Sequence, residues 1–142
     1  MLNFTKPWMT KLEDILLADK VFVDYRGNAG TALTASVTNI DFNTLVSDSL
    51  SAWSGSVFTA PKTARYLMMG ECLMSTTVSY ALDEYISGVS GRRVIPGGLV
   101  TSHRDFSIIV ELTKDQTWSL RCPSSLTLSN NATRHFISIA SL

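Results

Sequence analysis

Val57-Phe58-Thr59-Ala60-Pro61-Lys62-Thr63-Ala64-Arg65-Tyr66-Leu67-Met68-Met69-Gly70-Glu71-Cys72-Leu73-Met74 decides the fold. The opening Val-Phe-Thr suits a strand, Ala60 to Thr63 makes a corner around Pro61, and Arg65 to Met74 is long and apolar on both faces, as a central strand should be. Outward from this stretch the period stays at two. Upstream, Val21 to Tyr25 ends at Arg26-Gly27-Asn28-Ala29-Gly30, Leu33-Ala35-Val37 alternates with Thr34-Ser36-Thr38, and Ile40 to Val46 stops at Ser47-Asp48-Ser49. Downstream, Val78 to Ile86 alternates up to a turn at Gly88 to Gly91, with Pro96-Gly97-Gly98 as the next turn. Phe106 to Leu112, then Trp118-Leu120-Cys122, then Phe136 to Ala140 complete the series. About ten short strands divided by turn residues predict an all-β chain, an antiparallel ten-stranded jelly-roll sandwich with two sheets facing each other.

Composition agrees. The 142 residues hold 33 Ser and Thr and 18 Val and Ile, against 5 Lys and 4 Glu. Exposed helices fill their outer faces with Lys and Glu, whereas hydroxylated and β-branched residues suit pleated strands and turns. Basic and acidic side chains balance at 12 each, which removes the long-range positive field of a nucleic-acid binder. Only 17% of residues are charged, so part of the surface is expected to be covered by copies of the chain itself. No apolar run reaches membrane-span length, and Met1 to Pro7 lack a signal-peptide pattern.

One segment departs from the β pattern. Thr10-Lys11-Leu12-Glu13 is a capping box, followed by the Leu12, Ile15 and Leu16 stripe of a short helix, with Pro7-Trp8-Met9 ahead of it. Residues 1–20 are read as an N-terminal helical anchor segment, with Trp8, Leu12, Ile15 and Leu16 its contact residues, and 21–142 as the jelly-roll domain. The helix either packs on its own domain or plugs into a larger object.

The order of these features resembles a known family. Ile40-Asp41-Phe42-Asn43-Thr44-Leu45-Val46 followed by Val57 to Leu67 is similar to the "F.D" strand and "F-x-A-P-x-x-G-x-Y" stretch of the C1q/tumour-necrosis-factor globular head. Phe106 to Leu112, Lys114 to Leu120 and Phe136-Ile137-Ser138-Ile139 look like its last strands. Three positions depart from the pattern: Ala64 and Lys114 stand in place of Gly, and Ile139 in place of an aromatic. The Ala64 departure is tolerable only where the backbone does not need a positive φ. The resemblance implies a tight homotrimer with a binding function. Interface residues expected from aromatic and apolar strand positions are Tyr66, Met68, Tyr80, Tyr85, Phe106 and Phe136.

Chemistry competes weakly. His103-Arg104-Asp105 brings a His near a carboxylate, and 18 serines offer nominal nucleophiles, but no GxSxG, HExxH or Cys-His signature accompanies them. Asp83 and Glu84 are adjacent, so on a strand they face opposite sides and do not form a glycosidase pair. Cys72 and Cys122 lack zinc-ligand spacing and read as buried free thiols. The expectation is a non-enzymatic chain with no cofactor and no metal. Trp53, set among Ser51, Ser54, Gly55 and Ser56, is either an exposed ring for stacking on a sugar or a ring folded back onto a subunit neighbour. Arg92-Arg93 are either an anion-contacting doublet or part of a solvated turn.

Without a Gly-X-Y stalk or a secretion signal, the expected role is that of a bacteriophage virion structural protein. It would be a trimeric fibre head or capsid-decoration knob, assembled in the host cytoplasm and joined to other virion proteins through its N-terminal segment. The alternative is a carbohydrate- or receptor-binding module for a host-surface glycan.

Overall fold

The computed structural model describes residues 20–27, 32–33, 39–73, 80–97, 103–123, 126–128 and 134–142. Among these residues twelve strands follow one another: β1 (Phe22–Arg26), β2 (Ala32–Leu33), β3 (Thr44–Asp48), β4 (Trp53–Ser54), β5 (Val57–Thr59) and β6 (Ala64–Leu73), then β7 (Leu82–Ile86), β8 (Val89–Ile95), β9 (His103–Leu112), β10 (Thr117–Arg121), β11 (Leu126–Thr127) and β12 (Phe136–Ser141). Ten of them make two five-stranded antiparallel sheets, ordered β3-β1-β12-β6-β9 and β4-β5-β10-β7-β8, and β2 pairs with β11. This is the expected jelly roll. Among the described residues there is no helix; the capped segment and its residues Trp8, Leu12, Ile15 and Leu16 lie outside them.

The stretch that announces the fold is also its spine. β6 and β9 pair over their whole ten-residue lengths, from Ala64 opposite Leu112 to Leu73 opposite His103. The Pro61 corner is fastened to the turn before β10, where Ala60 N–H donates to Gln116 O at 2.9 Å and Lys114 N–H to Thr63 Oγ1 at 3.0 Å. Asp115 takes the positive φ of that turn, 69°, while Ala64 is not among the positive-φ residues, so replacing the family's glycine there carries no backbone penalty.

Tyr66, Met68 and Cys72 of β6, Phe106 and Val110 of β9, and Ile137 and Ile139 of β12 point inward. They meet Phe58, Trp118, Leu120 and Leu82 of the second sheet. Gly70 belongs to this inner row by necessity of space: a Cβ there would lie 2.6 Å from Phe136 O and 2.8 Å from the Phe106 ring.

Three expectations about elements change, the first being the strand expected over Val78 to Ile86, which begins only at Leu82. The turn expected at Gly88 to Gly91 is only Ser87-Gly88, with φ of 49° and 79°, a two-residue hairpin loop whose twist suits the flanking strands. Arg92 and Arg93 therefore sit on β8 and not in a turn. Ile40 and Phe42 are buried, but the strand expected over Ile40 to Val46 begins only at Thr44. Before it, backbone groups go to neighbouring segments: Ile40 N–H to Leu120 O and Asn43 N–H to Gly27 O.

Candidate functional site

Among the described residues, the outer face of the first sheet carries exposed apolar side chains. Pairing registers set its residues in rows across the strands. One row is Phe22, Ala140, Leu67 and Ile109; the next is Asp24, Ser138, Met69 and Ser107; the third is Arg26, Phe136, Glu71 and Asp105. Phe22, Met69 and Ile109 stand 43%, 41% and 43% exposed. Large apolar side chains contiguous on one sheet face mark an interaction surface. The third row turns polar, where Arg26 lies over the Phe136 ring at 5.5 Å and Arg134 pairs with Glu71 at 3.1 Å.

Asp24 sits within this face and is 8% exposed. Its Oδ2 accepts from Arg26 Nη2 at 3.1 Å, whereas Oδ1 is buried without a hydrogen-bond partner among the described residues.

The expected interface residues divide by strand parity. Tyr66, Met68, Tyr80 and Phe106 are buried inside the single chain, so they have no apolar area left for a neighbour. Tyr66 Oη donates to Lys62 O at 2.6 Å, and Tyr80 Oη to Cys72 O at 3.2 Å. Phe136 does lie on the outer face of the first sheet. Tyr85 lies half-buried on the second sheet, under the Arg121 guanidinium at 4.2 Å. The outward residues one position away, Leu67, Met69 and Ile109, escaped the sequence reading. Arg65 to Met74 is apolar at both parities, so alternation alone does not say which set faces out.

Trp53 is neither an exposed ring nor one laid on a subunit neighbour; it packs inside its own chain. It is buried, donates its indole N–H to Phe42 O at 3.2 Å, and packs on Tyr25 and Phe42 with ring centroids at 5.8 and 5.9 Å. Asp48 fixes the approach to it, taking the Ala52 and Trp53 N–H groups at 2.8 and 2.9 Å.

Arg93 Nε pairs with Asp83 at 2.8 Å on the surface. Arg92 does more. Its Nε meets buried Glu84 at 3.0 Å and its Nη2 donates to Ile109 O of β9 at 2.6 Å, so the guanidinium spans the open flank between the two sheets. Asp83 and Glu84 take separate partners, as opposite-facing neighbours should.

β9 puts Asp105 on the outer face opposite Glu71, with His103 two residues before it opposite Leu73. His135 is buried, stacks on Phe42 at 4.5 Å, and meets Asp41 O through Nε2 at 2.6 Å; burial holds its pKa below the ordinary value. Cys72 and Cys122 are buried, and burial pushes the Cys72 thiol far up, out of the reactive range.

No protein-family model matches the chain, and no curated protein matches its sequence. Solved structures do match its fold. Murine APRIL at pH 5.0 superposes with a TM-score of 0.66 at 14% identity, over 87% of this chain and 99% of that one. The globular domain of zebrafish complement 1qA gives 0.64 at 10% identity, over 87% and 98%. Eiger TNF from S. frugiperda gives 0.63 at 14% identity, over 87% and 92%. The two-sheet sandwich is a TNF/C1q-like jelly roll.

Proposed function

We propose that the chain is a non-enzymatic homotrimeric knob of a virion, a fibre head or capsid-decoration protein. The observation that carries the assembly is the outer face of the first sheet, where Phe22, Leu67, Met69 and Ile109 form an apolar field on a chain with few charges. A face of this kind is stabilised by burial against a second copy, and obligate interfaces resemble a core cut in half. The order of parts supports attachment to a particle: residues 1–20 carry a capping box and an apolar stripe ahead of the knob. The glycan- or receptor-binding alternative draws no support from Trp53, which is buried. Light scattering on the purified chain at micromolar concentration tests the assembly. A mass of three chains is expected; a single-chain mass overturns the proposal.

A further inference from the structure

Cys72 and Cys122 come from opposite sheets and enter the same core. Cys72 follows Tyr66 and Met68 on the inward parity of β6, and Cys122 follows Trp118 and Leu120 on the inward parity of β10, just past its end. Both are fully buried in one packed cluster, and the structure shows both as thiols. In sequence they lie fifty residues apart, so only the stacking of the two sheets brings them together.

The strands that carry them leave a common corner. Ala60 N–H donates to Gln116 O and Lys114 N–H to Thr63 Oγ1, which fastens the start of β6 to the start of β10. Near that corner Phe58 packs on Tyr66 at 5.1 Å and pairs in register with Trp118. Both strands then run to the other end of the sandwich, where each finishes on its cysteine. Tyr80 marks that end, donating its hydroxyl to Cys72 O at 3.2 Å. Burial raises the Cys72 thiol and Cys122 raises it further; burial raises the Tyr80 phenol, and both cysteines add to it. Charges shift one another in this way only as near neighbours.

We propose that Cys72 and Cys122 are a disulfide-forming pair that bridges the first sheet to the second within one chain. Antibody-type sandwiches span their two sheets with a bond of this kind. The closed fold keeps Cys72 too basic to react, so the exchange belongs to a chain that is still folding or has opened locally. With oxidised glutathione as the oxidant, one cysteine thiolate forms a mixed disulfide and releases one glutathione thiolate. The second cysteine thiolate attacks the protein sulfur of that mixed disulfide, makes the Cys72–Cys122 bond and releases the other. Two protons leave the protein, its two sulfurs are oxidised, and glutathione disulfide is reduced to two thiols.

The test uses the full chain, refolded from denaturant in a glutathione redox buffer, and in parallel held folded in the same buffer a few degrees below its Tm. The expected product is a single chain lighter than the reduced one by two hydrogens, with no thiol titratable in denaturant and one cross-linked peptide holding both cysteines. Its Tm is expected to rise by about 10 °C, as closing a loop of this length predicts. Cys72→Ala is expected to keep the Cys122 thiol and to gain no Tm from the oxidant. Two thiols still titratable after both treatments, sulfurs capped separately by glutathione, or bonds between chains overturn the pairing. A bridge that leaves the Tm at or below that of the reduced chain overturns it too, because the bond would then form only by straining the fold. The bond lies within one chain, so these outcomes stand apart from the number of copies in the assembly.

Discussion

The indole N–H of Trp118 ends on Glu84 Oε2 at 3.0 Å, deep between the sheets. The other oxygen of that carboxylate takes Arg92 Nε, whose guanidinium continues to Ile109 O on β9. One buried acid thereby ties β10 and β7 to β8, and through β8 to the edge of the opposite sheet. The space it needs is kept by Gly91, where a Cβ would lie 2.9 Å from Glu84 Cγ.

Glu84→Ala is predicted to destabilise the chain by about 2–3 kcal/mol, because it leaves a buried indole N–H without an acceptor and a guanidinium without its charge partner. Glu84→Gln keeps an acceptor for Trp118 and loses only the pair to half-exposed Arg92, so it should cost about 1 kcal/mol. Urea midpoints of the two variants check the order. Equal losses would show that the indole bond contributes nothing.

His135 predicts a pH dependence. Desolvation holds its pKa below the ordinary 6.5, with the bond and charge of Asp41 working the other way. Above pH 6.5 the ring is neutral folded and unfolded and adds no slope. Below it the unfolded chain binds the proton first, so stability falls with falling pH until the folded value is passed. His135→Gln should flatten the stability profile between about pH 6.5 and pH 5, where carboxylates have not yet titrated. A variant that loses stability as steeply as wild type over that window would contradict this account.

The strands around Pro61 are legible in the sequence because composition and period agree there: a short β-forming run, a corner, and a long apolar run. Inside and outside are not legible on β6, where Tyr66 and Met68 alternate with the equally apolar Leu67 and Met69. β8 is hidden for the opposite reason. Val89-Ser90-Gly91-Arg92-Arg93 is exposed throughout, so no hydrophobic alternation marks it as a strand. Trp53 misleads because its sequence neighbours are polar, while its ring partners Tyr25 and Phe42 come from other parts of the chain. The Glu84–Arg92 pair depends on the register of β7 against β8, which shifts at Asp83 and is not written in either strand.

Removal of residues 1–19 is predicted to leave the cooperative melt and the number of chains per assembly unchanged. The sheet's own bonds begin at Val21, whose N–H donates to Ser141 Oγ at 3.0 Å and whose carbonyl accepts from Ser141 N–H at 3.0 Å. Calorimetry of the shortened chain checks this. Loss of the transition would make the N-terminal segment part of the core and end its reading as an anchor.

The central claim is that the outer face of the first sheet joins copies of the chain. Ile109→Asp tests it most directly, because Ile109 is 43% exposed and points away from the core. A charge there costs the subunit little, about 0.5 kcal/mol for a surface substitution, but would have to be buried in the assembly. The decisive measurement is the sedimentation-equilibrium mass of wild type and variant at equal concentration, with circular dichroism to confirm the fold. Three chains for wild type and one for a folded Ile109→Asp is the predicted result; a single-chain wild type, or a variant that keeps three chains, would contradict it.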